Sequence, residues 1–255
     1  MKSLFSHLVK NRPFADHLLC HFLRRRMRLP QLSLASLFDD FDKEPVTIRQ
    51  VPRGCWSTPL VDVIMLLKLT ACAHPKRILE TGSFRGYTAL LIAQHTDEDA
   101  RIVTVDRYPE HGDAYRNTPF ATKIERRVGE MGSAMFAGDK PQSYDLIFVD
   151  ADHLYAGVKK DSELILPLVS PSGHVLWHDY ANWGYFNGEN GVPEYLGELA
   201  ATGLPVAHIA GTDLAIHSPA WGLNGASRLL FEKAAMEFAS QKTGVVPWES
   251  NEVRG

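Results

Sequence analysis

Short β-rich runs separated by helical ones fill the middle of the chain, and this alternation restricts the fold more than any other feature. RILET (77–81) is followed by GYTALLIAQ, RIVTVD (101–106) by a polar loop, and KIERRV by a short helical stretch. YDLIFVD is then followed by YAGVKKDSELILPLV, and HVLWHD by a loop and VPEYLGELA. Strands joined by helices of this length need crossover connections, which a parallel sheet with helices on both faces provides. The last two runs, LPVAHIA and TDLAIHS, are separated only by Gly211 and Thr212, a spacing suited to a tight antiparallel hairpin. The sequence thus predicts an α/β fold: a doubly wound seven-stranded sheet, mostly parallel, with a C-terminal antiparallel hairpin. Ahead of it, STPLVDVIMLLKLTACA reads as a core helix, with Ser57 or Thr58 as N-cap and Pro59 in the first turn.

With 255 residues, 45% of them apolar and 22% charged, the chain can hold one large domain with appendages. We expect an N-terminal helical arm or lid over 1–52, the main domain over 53–222, and a C-terminal helix and tail over 223–255. The arm carries a basic cluster (Arg24, Arg25, Arg26, Arg28) and then an acidic run (Asp39, Asp40, Asp42, Glu44), which fits either an oligomerisation arm or a solvated helical face. A homodimer would suit the first of these. The net charge of -3 provides no overall attraction to phosphate backbones or anionic lipid, so neither nucleic acid nor membrane is expected as a partner. A small neutral or modestly charged substrate fits better. Cys20, Cys55 and Cys72 are odd in number and widely spaced, which argues for reduced thiols rather than a disulfide framework or a zinc site. The N-terminal apolar run is broken by His7 and Lys10, too short for a signal segment or a span, so a cytoplasmic location is expected.

Chemistry concentrates first at the turn after RILET. Gly82 and Gly86 sit where the backbone of a parallel sheet comes close to a ligand, and glycine removes the Cβ that would block the approach. A dinucleotide fingerprint would read GxGxxG, but here the pattern is Glu80-x-Gly82-x-x-x-Gly86, with Ser83 and Phe84 where a second glycine is needed. A pyrophosphate could not pack as closely. The next strand ends at Asp106, suited to accept hydrogen bonds from both hydroxyls of a ribose. Taken singly, Asp106 could just cap a strand and Gly82 just form a turn. Strand, glycine loop, helix, strand and acid in that order favour a ligand site.

The ETGSFRGYT loop, the YDLIFVDADHLY strand end, the SGHVLWHDY strand, the GVPEYLGEL helix and the later GTDLAIH together resemble class I S-adenosylmethionine-dependent methyltransferases, in particular the group with macrolide-sugar O-methyltransferases. The resemblance covers about Arg53 to His217 and implies a Rossmann-like fold. It implies that Glu80, Gly82, Ser83 and Gly86 surround the methionine part of the cofactor, that Asp106 holds its ribose, and that Asp150 lies beside it. Gly129, Glu130 and Ser133 fall where the family binds adenine.

Asp150 ends one strand, with Asp152 and His153 directly after, and His178 and Asp179 end the next. Ligands of open α/β sheets lie outside these strand ends, and buried charges need partners or a metal. In one reading, Asp150, His178 and Asp179 bind a divalent cation, magnesium or manganese, that holds two acceptor oxygens and lowers the pKa of one. The metal-dependent O-methyltransferases that the chain resembles have an acid–acid or acid–amide pair where this chain has His178-Asp179; a histidine there favours manganese, iron or zinc over magnesium. In the other reading His153 alone is the general base. The macrolide-sugar enzymes carry an aspartate with a histidine three residues later, as Asp150 and His153 do, and the resemblance implies that metal and base act together. Tyr155, Tyr180, Trp183, Tyr185 and Phe186 would make aromatic walls for an acceptor or simply plug loops into the core. Arg85, Arg107 and His111 lie in nearby loops, where solvated surface is the simpler reading of each.

The leading expectation is an O-methyltransferase acting on a hydroxyl of a sugar, catechol or natural product. The alternatives are a protein that binds S-adenosylmethionine without transferring methyl, as a partner subunit or hydroxylase-like relative, and a nicotinamide oxidoreductase, against which the missing GxGxxG argues.

Overall fold

Each central strand is apolar on both faces, which is the demand placed on a sheet covered by helices on either side. Side chains that alternate along the strands divide between two cores: Ile78, Ile102, Leu146 and Phe148 fall in one, and Leu79, Val103, Ile147 and Val149 in the other. The protein is described by a computed structural model over residues 28–49, 51, 57–182, 191–223 and 225–243.

The strands are β1 (Gln31–Leu32), β2 (Arg77–Thr81), β3 (Arg101–Asp106), β4 (Ile124–Val128), β5 (Tyr144–Val149), β6 (Val169–Trp177), β7 (Val206–Ile209) and β8 (Ala215–His217). The helices are α1 (Leu60–Ala73), α2 (Tyr87–Gln94), α3 (Tyr155–Ile165), α4 (Val192–Ala201), α5 (Ala220–Leu223) and α6 (Gly225–Thr243). Leu66 and Leu69 of α1, Ala89 and Leu90 of α2, Trp221 of α5 and Phe231 of α6 join the first core. Val158 and Ile165 of α3 and Leu196 of α4 join the second, which gives three layers.

The sheet order is β1-β7-β8-β6-β5-β2-β3-β4, with only β8 antiparallel to its neighbours. The mostly parallel sheet and its closing hairpin follow the sequence reading, but among the described residues the strands number eight rather than seven. The extra strand is β1, inside the segment expected to be a helical arm; Gln31 pairs with His208 and Leu32 with Ile209. Two residues are too few to show a period-two pattern, so nothing in the sequence marked them. The segment 1–27, with Cys20 and the cluster Arg24 to Arg26, lies outside the described residues, as does Cys55. Cys72 is a free, partly buried thiol. Two boundaries differ in detail. Pro59, not Ser57 or Thr58, occupies the N-cap position of α1, and the hairpin turn takes residues 210–214 instead of Gly211 and Thr212 alone. Among the described residues no helix is long and apolar enough to cross a membrane.

Chain order runs outward from β2 to β4 on one side and from β5 onward on the other, so β2 and β5 meet at a topological switch point. There Gly82, with φ +90°, continues the ladder by donating its N–H to the Val105 carbonyl. A Cβ on it would stand 2.1 Å from the Asp150 carbonyl oxygen. The glycine is therefore needed for chain to approach chain, not only chain to approach ligand. Gly86 (φ +79°) is similar, since a Cβ there would lie 2.7 Å from the Tyr115 ring. One layer down, Glu80 is fully buried and accepts a hydrogen bond from the Thr104 hydroxyl, which itself meets Ser83 Oγ at 2.5 Å. Burial pushes the Glu80 carboxyl up to about 8, with Asp150 and Asp106 adding to the effect of burial and the Thr104 bond opposing it.

Two outcomes follow from this packing. Gly82→Ala should lower the unfolding free energy by about 3 kcal/mol or more, read by urea unfolding; a loss below about 1 kcal/mol would mean the two strand ends can part without cost. An unfolded Glu80 ionises near its ordinary value of 4.5 while the folded one holds its proton to about 8, so this residue makes stability fall as pH rises across that interval and level off above it. In Glu80→Gln that part of the pH slope should vanish.

Candidate active site

The C-terminal ends of the parallel strands deliver their following residues to one rim. Gly82 to Gly86 follow β2, Asp106 ends β3, Gly129 and Glu130 follow β4, Asp150 follows β5, and His178 and Asp179 follow β6. All of these line a single cleft of about 990 Å³, large enough for a nucleoside-sized ligand together with a second molecule.

On the β3 side the Asp106 carboxylate is already ordered by the protein. Its Oδ2 accepts from the Phe84 amide at 2.9 Å and meets His111 Nδ1 at 2.8 Å, while Oδ1 accepts from the Tyr108 amide at 2.9 Å. The His111 ring packs edge-on to Phe84 and tilted against Tyr108. Ser83, Gly86, Gly129 and Glu130 line the same space. Two residues expected beside the cofactor do not: Glu80 is buried beneath the loop, and Ser133 is exposed at the start of a short 3-10 turn, away from the cleft. Asp161 of α3 does line it, and burial raises its carboxyl to about 6, with Asp152 and Glu130 raising it further and Lys160 opposing.

On the β5–β6 side the acids and histidines converge. His178 Nδ1 lies 3.0 Å from Asp150 Oδ1 and 3.3 Å from Asp179 Oδ1, and its Nε2 lies 3.1 Å from Asp62 Oδ2 on α1. His153 Nδ1 contacts Asp179 Oδ2 at 2.7 Å, and Asn182 donates to Asp179 Oδ1. Burial works against charge on both imidazoles, yet the carboxylates around them raise both, His178 strongly. Those same imidazoles hold the Asp179 carboxyl well below its ordinary range despite burial. Asp179 sits at φ 61°, a left-handed backbone that turns its side chain back toward His153 and His178. His153 remains about a quarter exposed, at 27%, and faces the cleft.

Asp150, His178 and Asp179 each offer a ligand atom, all within 4.8 Å of one another. Ligands about 2.1 Å from one ion and at right angles stand about 3.0 Å apart, close to the 3.0 and 3.3 Å that separate His178 Nδ1 from Asp150 and Asp179. Carboxylate oxygens and an imidazole nitrogen are also a donor set that a divalent cation accepts, so the residues fit one.

Asp152, in contrast, turns onto the start of α3, accepting from the Leu154 amide at 2.9 Å. Tyr180 is buried, its hydroxyl accepting from the Leu29 amide, and Tyr155 donates its hydroxyl to Glu198 of α4, so neither forms an aromatic wall. Trp183, Tyr185 and Phe186 lie outside the described residues. Arg85 is paired with Asp113 at 3.6 Å, and Arg107 stacks on Tyr108. Sequence reasoning missed Asp62, Asn182 and Asp161. Asp62 alone left a signal, as the one charged residue among those that α1 buries.

Residues 79–180 match the family described as "Methyltransferase domain". A caffeoyl-CoA O-methyltransferase of Populus kitakamiensis is 32% identical over 128 residues, 47% of this chain and 51% of that protein. The chain spans about half the length of the curated relatives it matches. Among solved structures, the SAH-bound methyltransferase PaMTH1 of Podospora anserina superposes with a TM-score of 0.54 at 19% identity, covering 82% of this chain and 96% of that one. The O-methyltransferase TomG of Streptomyces achromogenes, involved in tomaymycin synthesis and solved with SAM, gives 0.52 at 22% identity, covering 64% and 82%. At those identities the likeness is one of fold. With the sheet order and the rim of strand ends already described, residues 79–180 are similar to a methyltransferase domain, and the fold is that of the SAM- and SAH-bound methyltransferase structures.

Proposed function

We propose that this protein binds S-adenosylmethionine and transfers its methyl group to a hydroxyl of a small molecule such as a sugar, a catechol or a natural product. The observation that carries the reading is that Asp106 and the Gly82–Gly86 turn open into the same cleft as the acid–histidine cluster, so a nucleoside site and a proton-accepting site adjoin. Bound S-adenosylmethionine supplies an electrophilic methyl group, and a divalent cation would hold acceptor oxygens and favour ionisation of one. Asp106 accepts hydrogen bonds from the ribose hydroxyls. Asp150, His178 and Asp179 hold the cation. His153 takes the acceptor's proton: Asp179 behind Nδ1 favours the tautomer with its lone pair on Nε2, as an orienting carboxylate does for a general base. Positioning of the acceptor against the methyl donor by these fixed groups accounts for much of the rate.

Isothermal titration of S-adenosylmethionine into chelator-treated protein, repeated with magnesium and with manganese, tests the cofactor assignment. Micromolar binding is expected, weakened about tenfold or more in Asp106→Ala; no binding under any condition would overturn the reading. Turnover is read as S-adenosylhomocysteine released with a panel of catechols and sugar diols. His153→Ala should lower kcat by about 100-fold or more and leave cofactor affinity nearly unchanged. Cofactor binding without any such release would identify a binding protein instead.

A further inference from the structure

The cleft-facing cluster depends on a residue outside it. His178 stands between two pairs of acids, with Asp150 and Asp179 on its Nδ1 side and Asp62 and Asp213 on its Nε2 side. The two sides differ. Asp150 and Asp179 line the cleft, whereas Asp62 is fully buried and Asp213 is not part of the cleft wall.

Asp62 belongs to α1, which precedes the matched segment 79–180. Its Oδ1 accepts the backbone N–H of Asp213, in the β7–β8 turn, at 2.9 Å, and its Oδ2 faces His178 Nε2 at 3.1 Å. One oxygen anchored to backbone prevents the carboxylate from rotating, and a fully buried carboxylate needs a partner that donates. His178 Nε2 faces its second oxygen, and a hydrogen on Nε2 gives that oxygen its donor. With Nε2 as the donor to Asp62, Nδ1 is the nitrogen that faces Asp150 Oδ1 and Asp179 Oδ1, and on losing its proton it directs a lone pair there. Without a metal a proton on Nδ1 fills the place between these groups; a divalent cation that binds there replaces that proton.

We propose that Asp62 is the positioning residue of this centre: by holding the Nε2–H of His178, it presents Nδ1 together with Asp150 and Asp179 to one divalent cation. This rests on the metal-assisted reading given above. A carboxylate behind a ligating imidazole fixes its tautomer and orientation, and the loss of such a partner weakens metal binding about 10- to 100-fold. In Asp62→Asn the amide oxygen can still accept from the Asp213 N–H, but the amide N–H₂ then faces Nε2. His178 is driven to the opposite tautomer, and an N–H occupies the position facing Asp150 and Asp179.

The test is manganese titration of chelator-stripped full-length protein, followed by the EPR signal of the free ion, with the melting temperature in chelator taken alongside. Wild type should bind one ion per chain, Asp150→Asn should lose it, and Asp62→Asn should bind about tenfold more weakly or worse while melting close to wild type. If wild type binds no manganese, the metal-assisted reading falls and takes the role of Asp62 with it. If wild type binds, Asp150→Asn does not, and Asp62→Asn matches wild type, the metal reading stands and Asp62 has no part in it. Should Asp62→Asn not fold, histidine-labelled wild type loaded with zinc decides by nitrogen-15 NMR. A hydrogen on Nε2 of His178 and none on Nδ1 supports the proposal, and the reverse tautomer overturns it.

Discussion

The close approach of two strand ends underlies the site. β2 and β5 are neighbours in the sheet although two strands separate them in sequence, and the Asp150 peptide lies where a side chain on residue 82 would have to be. Only glycine, with a positive φ and no Cβ, permits that contact. It seats Asp150 at the rim directly beside the Gly82–Gly86 turn, so the glycine-turn half and the acid–histidine half of the cleft share a wall. A wider gap between the strands would move Asp150, together with His178 and Asp179 on the adjoining strand β6, away from the glycine turn.

The second constraint is electrostatic. Asp62, Asp150 and Asp179 surround one imidazole, and all of these groups are largely withdrawn from water. So many carboxylates in a low-dielectric setting are costly unless positive charge lies among them. An imidazolium or a bound cation meets this need, and His178 can serve in either arrangement because both of its nitrogens already face acids. This gives a physical account of a histidine where the resembling metal-dependent enzymes carry an acid: it adds no negative charge to a site that is already rich in it.

Much of this was legible in the sequence, and the reasons are specific. The parallel sheet showed in the spacing of apolar runs, because crossovers require a minimum length. Asp106, Asp150, His153, His178 and Asp179 could be expected at one cleft, which they do line, because each lies at or just beyond a strand end, and strand ends share an edge. Of the expected aromatic wall, the described residues Tyr155 and Tyr180 do not line the cleft, because they satisfy their hydroxyls elsewhere in the fold. Ser133 was placed by position in a motif, and its side chain lies outside the cleft. Strand β1 is two residues long and owes its existence to the open edge of β7, which no local pattern announces.

The sequence by itself determined the layered α/β architecture and the set of groups presented along one edge, since both follow from periodicity and from chain order, which are local properties. Only the tertiary structure decided which of those groups face one another. Asp62 and His178 are 116 residues apart and Asp62 and Asp213 are 151 apart, and no spacing rule links them. Their contact exists because α1 and the β7–β8 turn both pack against the end of β6. Hydrogen-bond partners at that separation depend on how whole elements pack, and packing is settled by the folded chain as a whole.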